Sequence, residues 1–264
     1  MPQGPDGALV SVSTTGDYVR LAVVLAAITV VTAVVARVGG LSTGWVQVTA
    51  AARATLQLAL AGTVIAAVLQ SWWLTAGFVG LMVVVASVTA GRRVSGHGTW
   101  WWGFLPVTMA ALPVSAALLV SGLVPMKPIA MVPVVGILVG GAMTTTGLSG
   151  KQAQQELVDR QGEVEAAMSL GVRDRDARLF VARDGAALAL VPGLDQTRTV
   201  GLVSLPGAFV GMLLGGATPV QAAAVQLIVL LALLFVASVA AVLTVELVAR
   251  GRLTPPVQQT SEAT

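Results

Sequence analysis

The sequence predicts an all-α, polytopic transmembrane bundle of about seven spans, with the N-terminus outside and the C-terminus inside. Three observations carry this expectation. The 264 residues are 56% hydrophobic and only 10% charged, with mean hydropathy +0.87, whereas a soluble domain carries about 25% charged residues. No acidic residue occurs between Asp17 and Glu156. Apolar runs of roughly 20 residues, the length a helix needs to cross hydrocarbon, recur along the chain. Backbone in lipid must satisfy its own hydrogen bonds, and the Gly and Pro content forbids long strands, so these runs read as helices.

Taken in order, residues 1–18 are polar and contain Gly and Pro, which reads as a flexible N-terminal tail. The tail lacks the cationic start of a secretory signal, so the run after it reads as a retained first span; because that run is short and ends in small residues, a cleaved signal is the alternative. Residues 19–250 form the membrane domain, and 251–264 a second flexible tail. The spans fall at about 19–36, 54–70, 73–90, 104–122, 129–148, 199–216 and 220–248, with ends uncertain by a few residues. The orientation follows from Lys and Arg, which collect on the cytoplasmic side. Arg37, Arg92, Arg93, the six basic residues of 151–185, Arg250 and Arg252 share one side, leaving Arg20 and Lys127 on the other. Trp45 and Trp100 to Trp102 then mark the inner interface, and Trp72 and Trp73 the outer one. This describes a multi-pass protein of the cytoplasmic (inner) membrane, its partner the lipid bilayer.

Residues 151–185 form a cytosolic excursion. They hold 13 of the 27 Asp, Glu, Lys and Arg residues, six basic and seven acidic. A helix lying on the membrane would be biased towards basic residues, so this balanced segment is suited to water or to another protein. Residues 152–170 are mostly helix formers. Gly171 can take the left-handed conformation that ends a helix, and Asp174 can cap a second helix from about Arg175. The alternative is an ordinary loop helix with a glycine stop.

Much chemistry is excluded. Without cysteine there are no disulfides or thiolate metal sites. With a net charge of +3 and no basic run, no nucleic-acid face is evident. Neither Lys127 nor Lys151 stands in the Gly-x-x-x-x-Gly-Lys-[Ser/Thr] frame of a phosphate-binding loop, so this chain is not expected to be an enzyme that hydrolyses ATP by that route. The single histidine, His97, and the Gly201-Leu202-Val203-Ser204 run do not make a metal centre or a nucleophile elbow.

The stretch Glu163-Val164-Glu165-Ala166-Ala167-Met168-Ser169-Leu170-Gly171 resembles the EAA-x-x-x-G signature of ABC permeases. That resemblance implies a coupling helix that docks on an ATP-binding subunit, with Glu163, Glu165, Ala166, Ala167 and Gly171 at the contact. The family's continuing hydrophobic-x-Leu-Pro is replaced here by Val181-Ala182-Arg183-Asp184. Over about residues 50–250 the chain is similar to the FetB-like (YbbM-type) permease family, the membrane half of an iron-exporting ABC transporter. The match rests on Arg53 to Leu58, Gly141 to Gly147, Glu163 to Gly171 and Gly201 to Gly207. It implies metal (iron) export, a homodimer of this chain, two ATP-binding subunits, and ATP and magnesium on those subunits with no cofactor in this one. The family usually has Asn in place of Gly141 and Gln in place of Met212.

For the transport path, the residues suggest two clusters. Met143, Thr144 and Thr145 sit among glycines in span five and offer a thioether and hydroxyls. Ser204 and Pro206 sit in span six, where proline frees a carbonyl of the preceding turn and a broken helix at mid-depth is a common place for a substrate site or hinge. Helix packing and a structural kink are the alternatives. Arg53 and Gln57 start span two on one helical face at the inner boundary, where arginine can snorkel to water. Asp195 and Arg198, three apart at the start of span six, are expected to pair. No His or carboxylate ligand set identifies a metal site, which stays unknown. The rival functional classes are a secondary transporter or channel for a small solute, for which intramembrane acids are scarce, and a non-transporting scaffold.

Overall fold

The structure, a computed structural model, describes residues 14–96 and 98–254, which form helices joined by turns, with no strand among them. Expectations for residues 1–13, His97 and 255–264 lie outside the described residues. Six helices are long and apolar enough to cross a membrane. The chain divides into two compact units, Met1–Gln70 and Ser71–Thr264.

The first unit is a helical hairpin. α1 (Thr15–Val38) opens with a reciprocal cap in which the Thr14 hydroxyl accepts the Asp17 amide and the Asp17 carboxylate accepts the Thr14 amide. α2 spans Trp45–Val68, nine residues ahead of the expected start at 54. Gln47 bonds back to Ser42 at 2.8 Å, tying the first turn of α2 to the preceding loop. Consequently Arg53 and Gln57 lie inside α2, with eight residues of helix, roughly 12 Å, before Arg53.

The second unit is built around α5 (Pro128–Asp159) and α10 (Pro219–Ala249). α3 (Trp72–Ser95), α4 (Phe104–Val120) and the two long helices share one core, in which Val107, Ala110, Leu138, Ala142, Val236 and Ala240 are buried. The contacts fix directions: Gly136 lies by Met82 and Gly147 by Arg93, while Gly141 lies by Leu233 and Gly150 by Thr244. Thus α3, α5 and α10 run parallel. One end of this unit gathers Arg92, Arg93, Trp100 to Trp102, Arg250 and Arg252, with Arg92 over the Trp100 ring and Arg252 over the Trp102 ring.

After α5 the chain turns at Arg160 and continues as α6 (Gln161–Ser169), then α7 (Asp174–Ala187), a 3₁₀ turn, α8 (Val191–Thr199) and α9 (Gly207–Leu214). The expected helix over 199–216 is therefore corrected: α8 ends where it was to begin, and residues 200–206 are a turn. Successive contacts nevertheless carry this segment along α10. Arg175 bonds Glu246 at the charged end. Leu179, Ala182 and Ala186 pack with Val245 and Val248. Gly193 lies by Leu234, and Leu205, Pro206 and Phe209 share a cavity with Ala223, Gln226 and Leu230. From Glu246 to Ala223 α10 rises about 35 Å, enough to cross hydrocarbon of about 30 Å. In place of the expected sixth span, residues 174–214 form short helices that run antiparallel to α10. The charged residues of 174–184 hid its start, because α5 and α10 cover only the apolar face of α7.

Candidate functional site

Two features of the second unit can do chemistry or mechanical work: the corner formed by α6 and α7, and the broken crossing.

The corner is held by charge. Arg160 donates to both oxygens of Glu163, at 2.7 and 2.6 Å, and reaches Glu156 on α5 at 3.5 Å and Asp184 on α7 at 3.7 Å. One guanidinium thus joins three helices. The bidentate hydrogen bond from Arg160 holds the Glu163 carboxyl below the usual carboxylate range. Water reaches all of these groups, so the pairs brace the corner without adding much stability. Glu165 accepts from Gln161 at 2.8 Å, an ordinary pair one turn apart. Gly171 stands at φ +87°, the left-handed region, and the chain reverses there as the sequence expects. Asp174 is corrected. Arg173 is the N-cap residue of α7 and makes no side-chain cap bond, while Asp174 accepts from Arg178 at 2.8 Å. The outer surface of the corner exposes Glu165, Ala166, Gly171 and, at 86%, Leu170; Ala167 is half-buried and Val164 fixes α6 to α7. Leu170 was missed in the sequence, although an apolar residue beside a helix-ending glycine is a signal for a contact.

This corner is tied to the last helix. Arg175 donates to both oxygens of Glu246, at 2.8 and 2.6 Å, and Arg250 also holds Glu246. Glu246 is thus the anchor of α7 on α10.

In the broken crossing, the Thr199 carbonyl accepts from Leu202, Val203 and Ser204, and the Gly201 amide donates to the Ser204 carbonyl. Pro206 follows as the extended N-cap of α9. Beside the turn lies a cavity of about 420 Å³ lined by Val200, Gly201, Leu205, Pro206, Phe209 and α10 residues including Gln226. Gln226 is 5% exposed, and its amide oxygen has no hydrogen-bond partner among the described residues. Leaving such a group unsatisfied costs about 1–3 kcal/mol. Gln226 escaped the sequence reading; an amide inside VQAAAVQLIVLL was the available signal.

Met143, Thr144 and Thr145 lie elsewhere. Met143 packs on the core with Val236 and Ala240, Thr145 is buried and Thr144 is exposed. The α5–α10 pairing sets Met143 opposite residues near Leu233, whereas the turn bearing Ser204 sits opposite Leu227 and Leu230. Pro206 lines the cavity; Ser204 is exposed, and the structure brings neither threonine nor Met143 to the cavity wall. Arg53 and Gln57 belong to the other unit and are exposed. Among the described residues no group of three or more His, Cys, Asp or Glu is placed to hold a metal ion.

The profile of a family described as "Uncharacterised protein family (UPF0014)" matches residues 18–252. The chain is 36% identical over 200 residues to "UPF0014 membrane protein STAR2" of Oryza sativa subsp. japonica, covering 74% of this chain and 70% of the relative. It is 35% identical over 183 residues to "Protein ALUMINUM SENSITIVE 3" of Arabidopsis thaliana, covering 67% and 66%. It is 34% identical over 140 residues to "Probable iron export permease protein FetB" of Escherichia coli (strain K12), covering 53% of this chain and 54% of the relative. No solved structure matches.

Proposed function

Because this chain belongs to the UPF0014 family of membrane proteins, we propose that it is the membrane-spanning permease subunit of an ATP-driven exporter, with a metal such as iron as cargo. The observation that carries the proposal is the corner of α6 and α7. It is exposed at its tip, braced by Arg160, and joined to α10 through Arg175 and Glu246. A force applied at the tip reaches two crossings directly, because α5 leads into the corner and the broken crossing leads out of it. That is the arrangement a pump needs if a separate subunit binds ATP and magnesium and pushes from the cytosol. The N-terminus is then outside and the C-terminus inside, with the basic residues of the charged end facing the cytosol of the inner membrane. Two copies of this chain, each gripped by one ATP-binding subunit, complete the pump, and a two-fold pair is the commonest assembly. The relative named for iron export supports the cargo, and the cavity beside Gln226 supports a passage through the broken crossing.

The test is recruitment of the ATP-binding subunit. A β-branched residue at φ +87° is strained by roughly 1–2 kcal/mol, so Gly171→Val deforms the tip while leaving the spans intact. Co-purification of the ATP-binding subunit is expected to fall severalfold with the membrane level of the chain unchanged. Undiminished co-purification would remove the docking role of the corner.

A further inference from the structure

The sequence placed Asp195 and Arg198 at a membrane boundary; the fold moves them inward. Gly193 lies against Leu234, the middle residue of α10 (Pro219–Ala249), and Val200 and Gly201 face Leu227 and Leu230. Asp195 and Arg198 therefore sit within a few residues of the centre of α10, displaced towards its Pro219 end. The predicted pairing is present, but loosely: Arg198 Nη1 is 3.6 Å from Asp195 Oδ1, with the side chains 73% and 60% exposed. Among the described residues this is the one ion pair of either group. A guanidinium has five N–H donors, so most of those on Arg198 have no protein acceptor. Lipid tails supply none, and ionisable groups at this depth face a bundle interior or water. Gln196, the residue after Asp195, is exposed. The turn after α8 then leads to a largely apolar cavity in which Gln226 is the one polar side chain.

We propose that the α8 face bearing Asp195, Gln196 and Arg198 lines a water-filled passage at the middle of the membrane, in which Arg198 receives a carboxylate or phosphate oxygen of the solute. The proposal rests on the permease reading above, with the second copy closing the passage opposite α8. It specifies the cargo's chemistry: an anionic oxygen ligand, such as a metal carried with carboxylates, in place of a bare cation. Asp195 holds Arg198 in position until the solute's oxygens displace it.

The chain has no cysteine, so single-cysteine variants report cleanly. In nanodiscs, Gln196→Cys is to be labelled with a sulfonate-bearing thiosulfonate, its trimethylammonium counterpart and a neutral analogue. Val85→Cys, exposed in the apolar run of α3, is the lipid-facing control. The expected result is charged-reagent labelling of Gln196→Cys about tenfold faster than of Val85→Cys, with the anion preferred. Adding Arg198→Gln should abolish that preference and leave the neutral rate unchanged. Citrate and inorganic phosphate, added separately, distinguish a carboxylate from a phosphate ligand by which one slows labelling. Labelling no faster than the control, or an anion preference indifferent to Arg198→Gln, would overturn the proposal. So would protection by neither anion. Co-purification of the ATP-binding subunit is measured on the same samples; its loss would count against the exporter reading and leave the labelling result to decide the passage.

Discussion

At the residue scale, the second unit depends on close approaches that admit no side chain. Gly91 lies so near the Trp100 carbonyl that a Cβ there would overlap it, and Gly103 meets Gly91 from the facing turn. These two glycines let the Trp100 turn fold onto α3, where Arg92 covers the Trp100 ring. Gly91→Ala is expected to lower stability by about 1–3 kcal/mol through overpacking, read as thermal unfolding in detergent. Gly62→Ala, with open space around its position, is expected to show no loss. Such packing was not legible in the sequence, because the partner of Gly91 lies across a turn and a glycine alone does not reveal what approaches it. Gly171 was legible, since it ends a run of helix formers and the reversal there needs only local geometry. Asp195 and Arg198 were legible as a pair but not in depth, which is set by what α8 lies against on α10.

At the element scale, α7 is attached to α10 through Glu246, which gathers Arg175 and Arg250. If this attachment transmits movement of the corner, Arg175→Glu should reduce transport far more than it reduces recruitment of the ATP-binding subunit. The exchange Arg175→Glu with Glu246→Arg should restore transport at least in part. Equal loss of recruitment and transport, with no rescue by the exchange, would show that the pair serves only to fold the corner. Hydropathy found the uninterrupted helices, because lipid imposes length and composition together. It misplaced the crossing made of α7, α8 and α9, which alternates charged and apolar residues and is broken at 200–206. There the apolar faces of α7 and α8 are matched to α5 and α10, and no window over a single helix contains that information. The early start of α2 was hidden similarly, since Gln47, Thr49 and Arg53 dilute the apolar run.

At the scale of the whole molecule, one chain supplies a corner, a broken run of short helices along α10 and an exposed polar face on α8. If, as proposed, a second copy encloses that face, the complex purified through a tag on this chain is expected to contain two copies of it and two ATP-binding subunits. Mass measurement in nanodiscs checks the stoichiometry; an active complex with a single copy would exclude the enclosed passage. The most direct measurement is transport by inside-out vesicles carrying this chain and its ATP-binding subunit. Labelled cargo, supplied as iron with citrate, is expected to accumulate only with hydrolysable ATP and to be indifferent to an imposed proton gradient. Accumulation driven by the gradient without ATP would contradict the account.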